Sequence, residues 1–179
     1  MNIDLFSVTI FIGNIDASKI KLINKKTKPT FGSDVLTSFE EGKGSTPTKE
    51  SLDYLYPTIV GLLDQKIKTP YKIQLINIWE NHYINSDFQE KHIHPRSDLS
   101  FIIYKKIDES KTVFVNPSDK LLEAFYPSYI KQNLFGPCQY TPECRENQII
   151  IFPSFLEHYV KKTNNAITIA GNLSLTFQQ

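Results

Sequence analysis

The apolar positions of this chain fall mostly into short runs spaced for strands, with one stretch spaced for a helix. Residues 5–12 form a β-branched and aromatic run that reads as a strand. Residues 24–47 carry lysines, glycines, serines and threonines and read as a loop. Thr46 and Pro47 offer an N-cap followed by a first-turn proline, and Glu50 falls in the first turn. Leu52, Leu55, Tyr56, Ile59, Val60 and Leu63 then follow at helical spacing. Pro57 lies inside that pattern and predicts a kink or a later start.

After Pro70 the period changes to two. Across residues 71–83, Ile73, Leu75, Asn77, Trp79 and Asn81 fall on one face. Residues 84–97 read as a loop, and strands are expected at 98–107, 111–116, 148–153 and 166–177. Residues 117–137 are aromatic-rich, with a helical turn expected around 121–124. Closely spaced strands, an early helix and no βαβ alternation predict a mainly β barrel or sandwich with N-terminal helical cover. We expect a single domain over residues 1–179, with 1–70 as strand, loop and helix cover and 71–179 as the core. No internal repeat is visible.

Composition narrows the function classes. Hydrophobic residues make up 40% and charged residues 22%, which is ordinary globular usage. The formal net charge is +1, so the basic excess usual in phosphate-binding proteins is missing and there is no strong nucleic-acid signal. No apolar run is long enough for a transmembrane helix. The N-terminus has an early acidic residue and no basic region, so it does not read as a signal peptide. Without a secretion signal, the nearby Cys138 and Cys144 read as reduced thiols, which points to a cytoplasmic location.

The chemistry concentrates in the histidines. Of only four, His92 and His94 stand two apart, and in an extended segment both would point to one side. Imidazoles so placed can share a metal, and imidazole suits iron, zinc, copper and nickel. His158 follows the apolar run 149–152 and could return to the pair on a later barrel strand. The bland alternative for the pair is a hydrogen-bonded surface couple in a polar loop.

Two blocks surround these histidines. The first holds Trp79, Asn81, Asp87, Phe88, Gln89, His92, His94, Pro95, Ser97, Leu99 and Ser100. The second holds Phe152, Pro153, Ser154, Phe155, His158, Val160, Gly171 and Asn172. In this order and spacing, from Lys72 onward, they resemble the 2-oxoglutarate and iron(II)-dependent oxygenases abundant in tailed phages and marine bacteria. The resemblance implies a double-stranded β-helix (jelly roll) holding one iron(II). It also implies 2-oxoglutarate as small-molecule cosubstrate, decarboxylated to succinate while a C–H bond is hydroxylated. A phage-encoded chain would work in the host cytoplasm. No sequence code names the substrate, which could be a protein side chain, a nucleobase or a metabolite.

Mapped onto this chain, His92 is the first ligand and His158 the distal one. The commonest iron triad has a carboxylate two residues after the first histidine. Here that position is His94, which becomes the second ligand, with Asp98 as the alternative. The resemblance also implies an arginine for the far carboxylate of 2-oxoglutarate, but the matching position is Ala166. Lys161, Lys162, Arg96 or Lys105 would have to reach in instead. Asn81, Tyr104 and Asn172 are candidate cosubstrate contacts, and Trp79 and Ser100 candidate pocket walls. Trp79 and Tyr104 could equally be ordinary core residues. His82 falls on the opposite face from Asn81 and reads as structural. Two alternatives stay open: a non-catalytic jelly-roll binding module, and a cupin-like three-histidine metalloenzyme that does not use 2-oxoglutarate.

Overall fold

The computed structural model describes residues 7–23, 27–29, 35–39, 45–107 and 111–177. The start of the strand expected at 5–12 and parts of the 24–47 loop lie outside them. Strand β1 (Phe11–Asn14) leads to helix α1 (Lys49–Leu63). Thr48, not Thr46, caps that helix, its hydroxyl accepting from the Ser51 N–H. Thr46 and Pro47 instead pair with Leu22 and Ile23 in a small antiparallel sheet. The helix also runs through Pro57 without interruption. Pro57 and Asp53, whose carbonyl loses its donor, are both exposed, so the missing bond leaves no buried acceptor.

The core strands are β2 (Tyr71–Tyr83), β3 (Asp87–His92), β4 (Leu99–Lys106), β5 (Thr112–Val115), β6 (Gln139–Tyr140), β7 (Gln148–Pro153), β8 (His158–Thr163) and β9 (Ala166–Phe177). Helices α2 (Asp119–Glu123) and α3 (Ser128–Phe135) fill the stretch between β5 and β6. The larger sheet has the order β1, β7, β4, β9, β2, then the short strands Leu36–Thr37 and Lys28–Pro29. The smaller has the order β6, β5, β8, β3. All pairings are antiparallel. The chain crosses between the sheets as it runs from β2 to β9, winding into a double-stranded β-helix. Among the described residues no helix is long and apolar enough to cross a membrane, and Cys138 and Cys144 are free thiols.

The larger sheet is covered on both faces. Its outer face packs Ile78, Leu99, Phe101, Ile103, Ile149, Ile151, Ile169 and Leu173 against Leu55, Ile59 and Leu63 of α1. Its inner face turns Ile102, Tyr104, Ile150 and Phe152 toward Phe114 and Leu156. Such two-sided burial explains the continuous apolar runs in β4 and β7. At Gly171 an added Cβ would lie 2.5 Å from the Phe101 ring and 2.8 Å from the Asn77 carbonyl oxygen, so no side chain fits without displacement.

Two expectations need correction. The stretch 84–97 is not all loop, because it contains β3. Its polar sequence hid the strand, since the inward positions face a polar cavity rather than an apolar core. The single face expected along residues 71–83 is also split. Asn77 pairs with Asn172 but Leu75 with Leu173, so Ile76 is an extra residue in β2. The bulge leaves Ile73 and Leu75 on the helix side while Asn77, Trp79 and Asn81 face the cavity.

The α1 contact predicts that Ile59→Ala will lower unfolding free energy by about 2–5 kcal/mol, measured by urea denaturation. Metal stoichiometry at the inner face should not change.

Candidate metal centre

The smaller sheet carries two of the histidines. His92 ends β3 and His158 begins β8, and the two are directly paired across the strands. One step further the pairing is Val160 with Gln89, so β3 holds an extra residue between Gln89 and His92. This bulge keeps both Gln89 and His92 facing inward and brings the Glu90 carbonyl to the His92 ring. His92 Nδ1 lies 2.7 Å from the Glu90 oxygen, and His158 Nδ1 lies 3.0 Å from the Leu156 oxygen. A carbonyl only accepts, so each ring carries its proton on Nδ1 and leaves the Nε2 lone pair free.

His94 sits beyond the end of β3, with its N–H donating to the Ser154 carbonyl at 3.0 Å. Ile93 between the two histidines is half exposed, so the in-and-out alternation continues past the strand. His94 Nε2 lies 3.3 Å from His158 Nε2, and one ring nitrogen from each of the three histidines falls within 4.8 Å of the others. Asp98 is not brought to this cluster. Its Oδ2 accepts from the Leu175 N–H at 2.7 Å, because its backbone is tied to Leu173 at the far end of β9. As the alternative to His94, it therefore lies outside the three-histidine group.

Burial sets the protonation of the cluster. Desolvation lowers the His158 pKa to about 3, and the neighbouring His92 and His94 add to the effect against the Leu156 hydrogen bond. Desolvation, then His92, lowers His94 to about 4. His92 is lowered too, chiefly by burial. Three neutral imidazoles with one ring nitrogen of each this close together are a donor set for a transition-metal cation.

The cluster opens on a cavity of about 1140 Å³ between the sheets. Strand register arranges its large-sheet wall in rows. Asn77, Asn172, Ser100 and Phe152 form one row. Trp79, Ala170 and Ile102 form the next, and Asn81, Thr168 and Tyr104 a third. Trp79 stands beside His94, with ring centroids 5.7 Å apart. Ser100 Oγ bonds both Ser154 Oγ and Asn172 Oδ1 at 2.8 Å. The Tyr104 hydroxyl donates to Thr112 Oγ1 at 3.0 Å, and the Tyr83 hydroxyl to Gln89 Oε1 at 2.9 Å. Among the described residues Asn77 Oδ1, Trp79 Nε1 and Asn81 Oδ1 are buried without a hydrogen-bond partner. Unpaired buried polar atoms are costly, so a row of them facing one cavity marks a place built for a polar ligand.

Asn81, Tyr104, Asn172 and Trp79 line this chamber, whereas Ser100 lies behind the lining, bonded to Asn172. Sequence reasoning did not single out Asn77, Tyr83, Gln89 or Thr112 as site residues. The two-residue period of β2 could have flagged Asn77 and Tyr83, whereas β3 and the short β5 carry no such signal. His82 bonds Glu80 Oε1 at 2.7 Å, away from the histidine cluster. Lys105 pairs with the other oxygen of the buried Glu80 at 3.0 Å, and Lys161 and Lys162 are exposed outside the cavity. Ala166 is buried against Tyr83 and Val160.

A family model described as a putative 2OG-Fe(II) oxygenase matches residues 77–172, just over half of the chain. No curated protein matches the sequence. Solved structures share the fold at low identity. An oxidoreductase of the 2OG-Fe(II) oxygenase family from Burkholderia pseudomallei is 12% identical, with 86% of this chain and 74% of that one covered at a TM-score of 0.55. HygX from Streptomyces hygroscopicus, solved with nickel, 2-oxoglutarate and hygromycin B, is 8% identical over 93% of this chain and 82% of its own, at 0.55. The α-ketoglutarate-dependent epimerase SnoN from nogalamycin biosynthesis is 12% identical over 87% and 69%, at 0.54.

The lowered histidine pKa values fix the sign of a pH effect. The folded metal-free chain protonates His94 and His158 only near pH 4 and 3, whereas unfolded histidine does so near about 6.5. As pH falls from about 7 to 5 the unfolded state binds more protons, so the stability of metal-free protein falls. Melting temperatures in the presence of a chelator should decline over that window, and His158→Gln should flatten the slope. An equally steep slope in the variant would assign the effect to other groups.

Proposed function

The chain belongs to the 2OG-Fe(II) oxygenase family, and from that premise we propose that it holds one iron(II) between His92, His94 and His158 and oxidises a C–H bond of a second substrate. The convergence of three imidazole nitrogens on one cavity carries this reading. When bound, the iron together with 2-oxoglutarate and O₂ supplies oxidative power, with the oxoacid decarboxylated to succinate. The residues present suit both groups. Neutral imidazoles need lose no proton to bind a metal. The orphaned Asn81 Oδ1 and Trp79 Nε1 leave hydrogen-bonding capacity in the cavity for an organic ligand.

The chain's own work is positioning. The Glu90 and Leu156 carbonyls hold the His92 and His158 rings in the ligating tautomer. The Tyr104–Thr112 and Tyr83–Gln89 pairs line one end of the cavity, where we place the cosubstrate with Asn81 and Thr168. Asn77, Asn172 and Ser100 lie on the other side of Trp79, and we assign that side to the second substrate. A cavity of about 1140 Å³ has room for both. The second substrate is drawn from protein side chains, nucleobases and metabolites, and a cytoplasmic setting fits the free thiols.

Ala166 favours a second reading, a three-histidine metalloenzyme that takes no 2-oxoglutarate, because β9 offers no cation at that position. The two readings separate on anaerobically iron-loaded protein titrated with 2-oxoglutarate. The oxygenase should develop a metal-to-ligand charge-transfer band, then release succinate when O₂ is admitted. His158→Ala should lose stoichiometric iron and lower succinate release by roughly a hundredfold or more. Iron retained by that variant would sink the ligand assignment, and a missing band would favour the second reading.

A further inference from the structure

We propose that Asn77 and Asn172 form a subsite for a primary carboxamide, so that the second substrate is an amide of the kind carried by asparagine and glutamine side chains. The proposal rests on the reading that this side of the cavity takes the second substrate. The two residues are directly paired across β2 and β9, and both line the cavity. Side chains so paired stand about 4.5–5.5 Å apart at Cβ, close enough to hold one planar group together.

Their hydrogen bonding is unequal. Ser100 Oγ donates to Asn172 Oδ1 at 2.8 Å, and Ser154 Oγ lies 2.8 Å from the same Ser100 Oγ. Asn172 is thereby oriented, with its Nδ2 group left to donate. Asn77 Oδ1 is buried without a hydrogen-bond partner among the described residues. A ligand entering this row must bring a donor to Asn77 and an acceptor to Asn172, because a buried polar atom left unpaired is costly. A primary carboxamide carries both on one planar group. A carboxylate has no donor, an ammonium no acceptor and an aliphatic chain neither. A trans peptide group turns its N–H and C=O to opposite sides and cannot serve both.

The surroundings agree with a neutral ligand. Phe152 stands in the same row, and Trp79, Ala170 and Ile102 form the next. The charged residues that line the cavity are placed elsewhere: Lys28, Glu90, Lys91 and Arg96 are exposed, and the half-buried Lys111 adjoins Thr112, which bonds Tyr104 two rows away. The row also abuts the histidines. The Phe152 ring centroid lies 4.8 Å from that of His158, and the Trp79 centroid 5.7 Å from that of His94. A carboxamide held there brings the carbon atoms next to it toward the histidine cluster. A nucleobase offers a similar edge, but the formal net charge of +1 lacks the basic excess of a polynucleotide binder, which favours the amide.

The test uses glycine–X–glycine peptides, acetylated and methylamidated at their ends, with X as glutamine, asparagine, glutamate, threonine or leucine, and uridine as the nucleobase probe. Binding is read from thermal shifts of nickel-loaded protein holding 2-oxoglutarate, and independently from the perturbed charge-transfer band of anaerobic iron-loaded protein. The native chain should bind the glutamine or asparagine peptide about tenfold or more tightly than the glutamate and leucine peptides. Asn77→Leu should erase that preference. Asn172→Asp should do the same, because it keeps an acceptor for Ser100 but loses the donor offered to the ligand. The 2-oxoglutarate band and nickel-dependent melting show that each variant is folded. A native chain that shows no preference for the amide peptides, or that favours threonine or uridine, overturns the proposal while the oxygenase reading stands. So does a preference that survives in Asn77→Leu. If 2-oxoglutarate gives no band with the native chain, the oxygenase reading falls and the proposal with it.

Discussion

The two-residue repeat of the pleated strand governs where everything else in this molecule can go. In β4, β7 and β9 one set of alternate side chains meets α1 and the other meets the cavity. A side chain cannot serve both, so apolar burial against the helix and polar lining of the chamber are separated by parity alone. Where function needs a residue out of phase, the chain inserts one. Ile76 switches β2 from helix-facing Leu75 to cavity-facing Asn77, and the β3 bulge keeps Gln89 and His92 on the same side. Both irregularities lie beside the chamber, where a re-aimed side chain has a use.

The same bulge joins backbone geometry to metal chemistry. By turning the Glu90 carbonyl onto His92, it fixes that ring's tautomer, and the Leu156 carbonyl does this for His158 through the same two-residue relation. Burial then holds the rings neutral, which a metal site requires and an empty cluster of like charges would demand anyway. On the proposed three-histidine ligation, with His94 in place of a carboxylate, the protein contributes no negative charge. A divalent ion there would keep its full charge and attract a dianionic ligand more strongly than a site with one carboxylate.

Buried polar groups divide into two kinds here. Ser154, Ser100 and Asn172 satisfy one another, as do Tyr104 with Thr112 and Tyr83 with Gln89. These pairs stiffen the walls. Asn77, Trp79 and Asn81 follow one another on the inward face of β2 with unpartnered atoms. The contrast separates wall from contact surface more sharply than burial does, since both kinds are largely buried.

Local pattern alone determined the long strands 71–83, 148–153 and 166–177, the helix near residue 50, and the histidine pair with its distant third member. These depend on interactions short in sequence: a period of two, a period of 3.6, and a strand's habit of turning residues two apart to one side. Tertiary structure decided the rest. Whether Asp98 or His94 joined the cluster depended on the tether of Asp98 to Leu173 and Leu175, 75 and 77 positions away. The strand status of β3 depended on pairing with β8, because its polar sequence has no apolar alternation to announce it. Contacts between distant segments set the register of each strand, and the register decides which groups meet in the chamber.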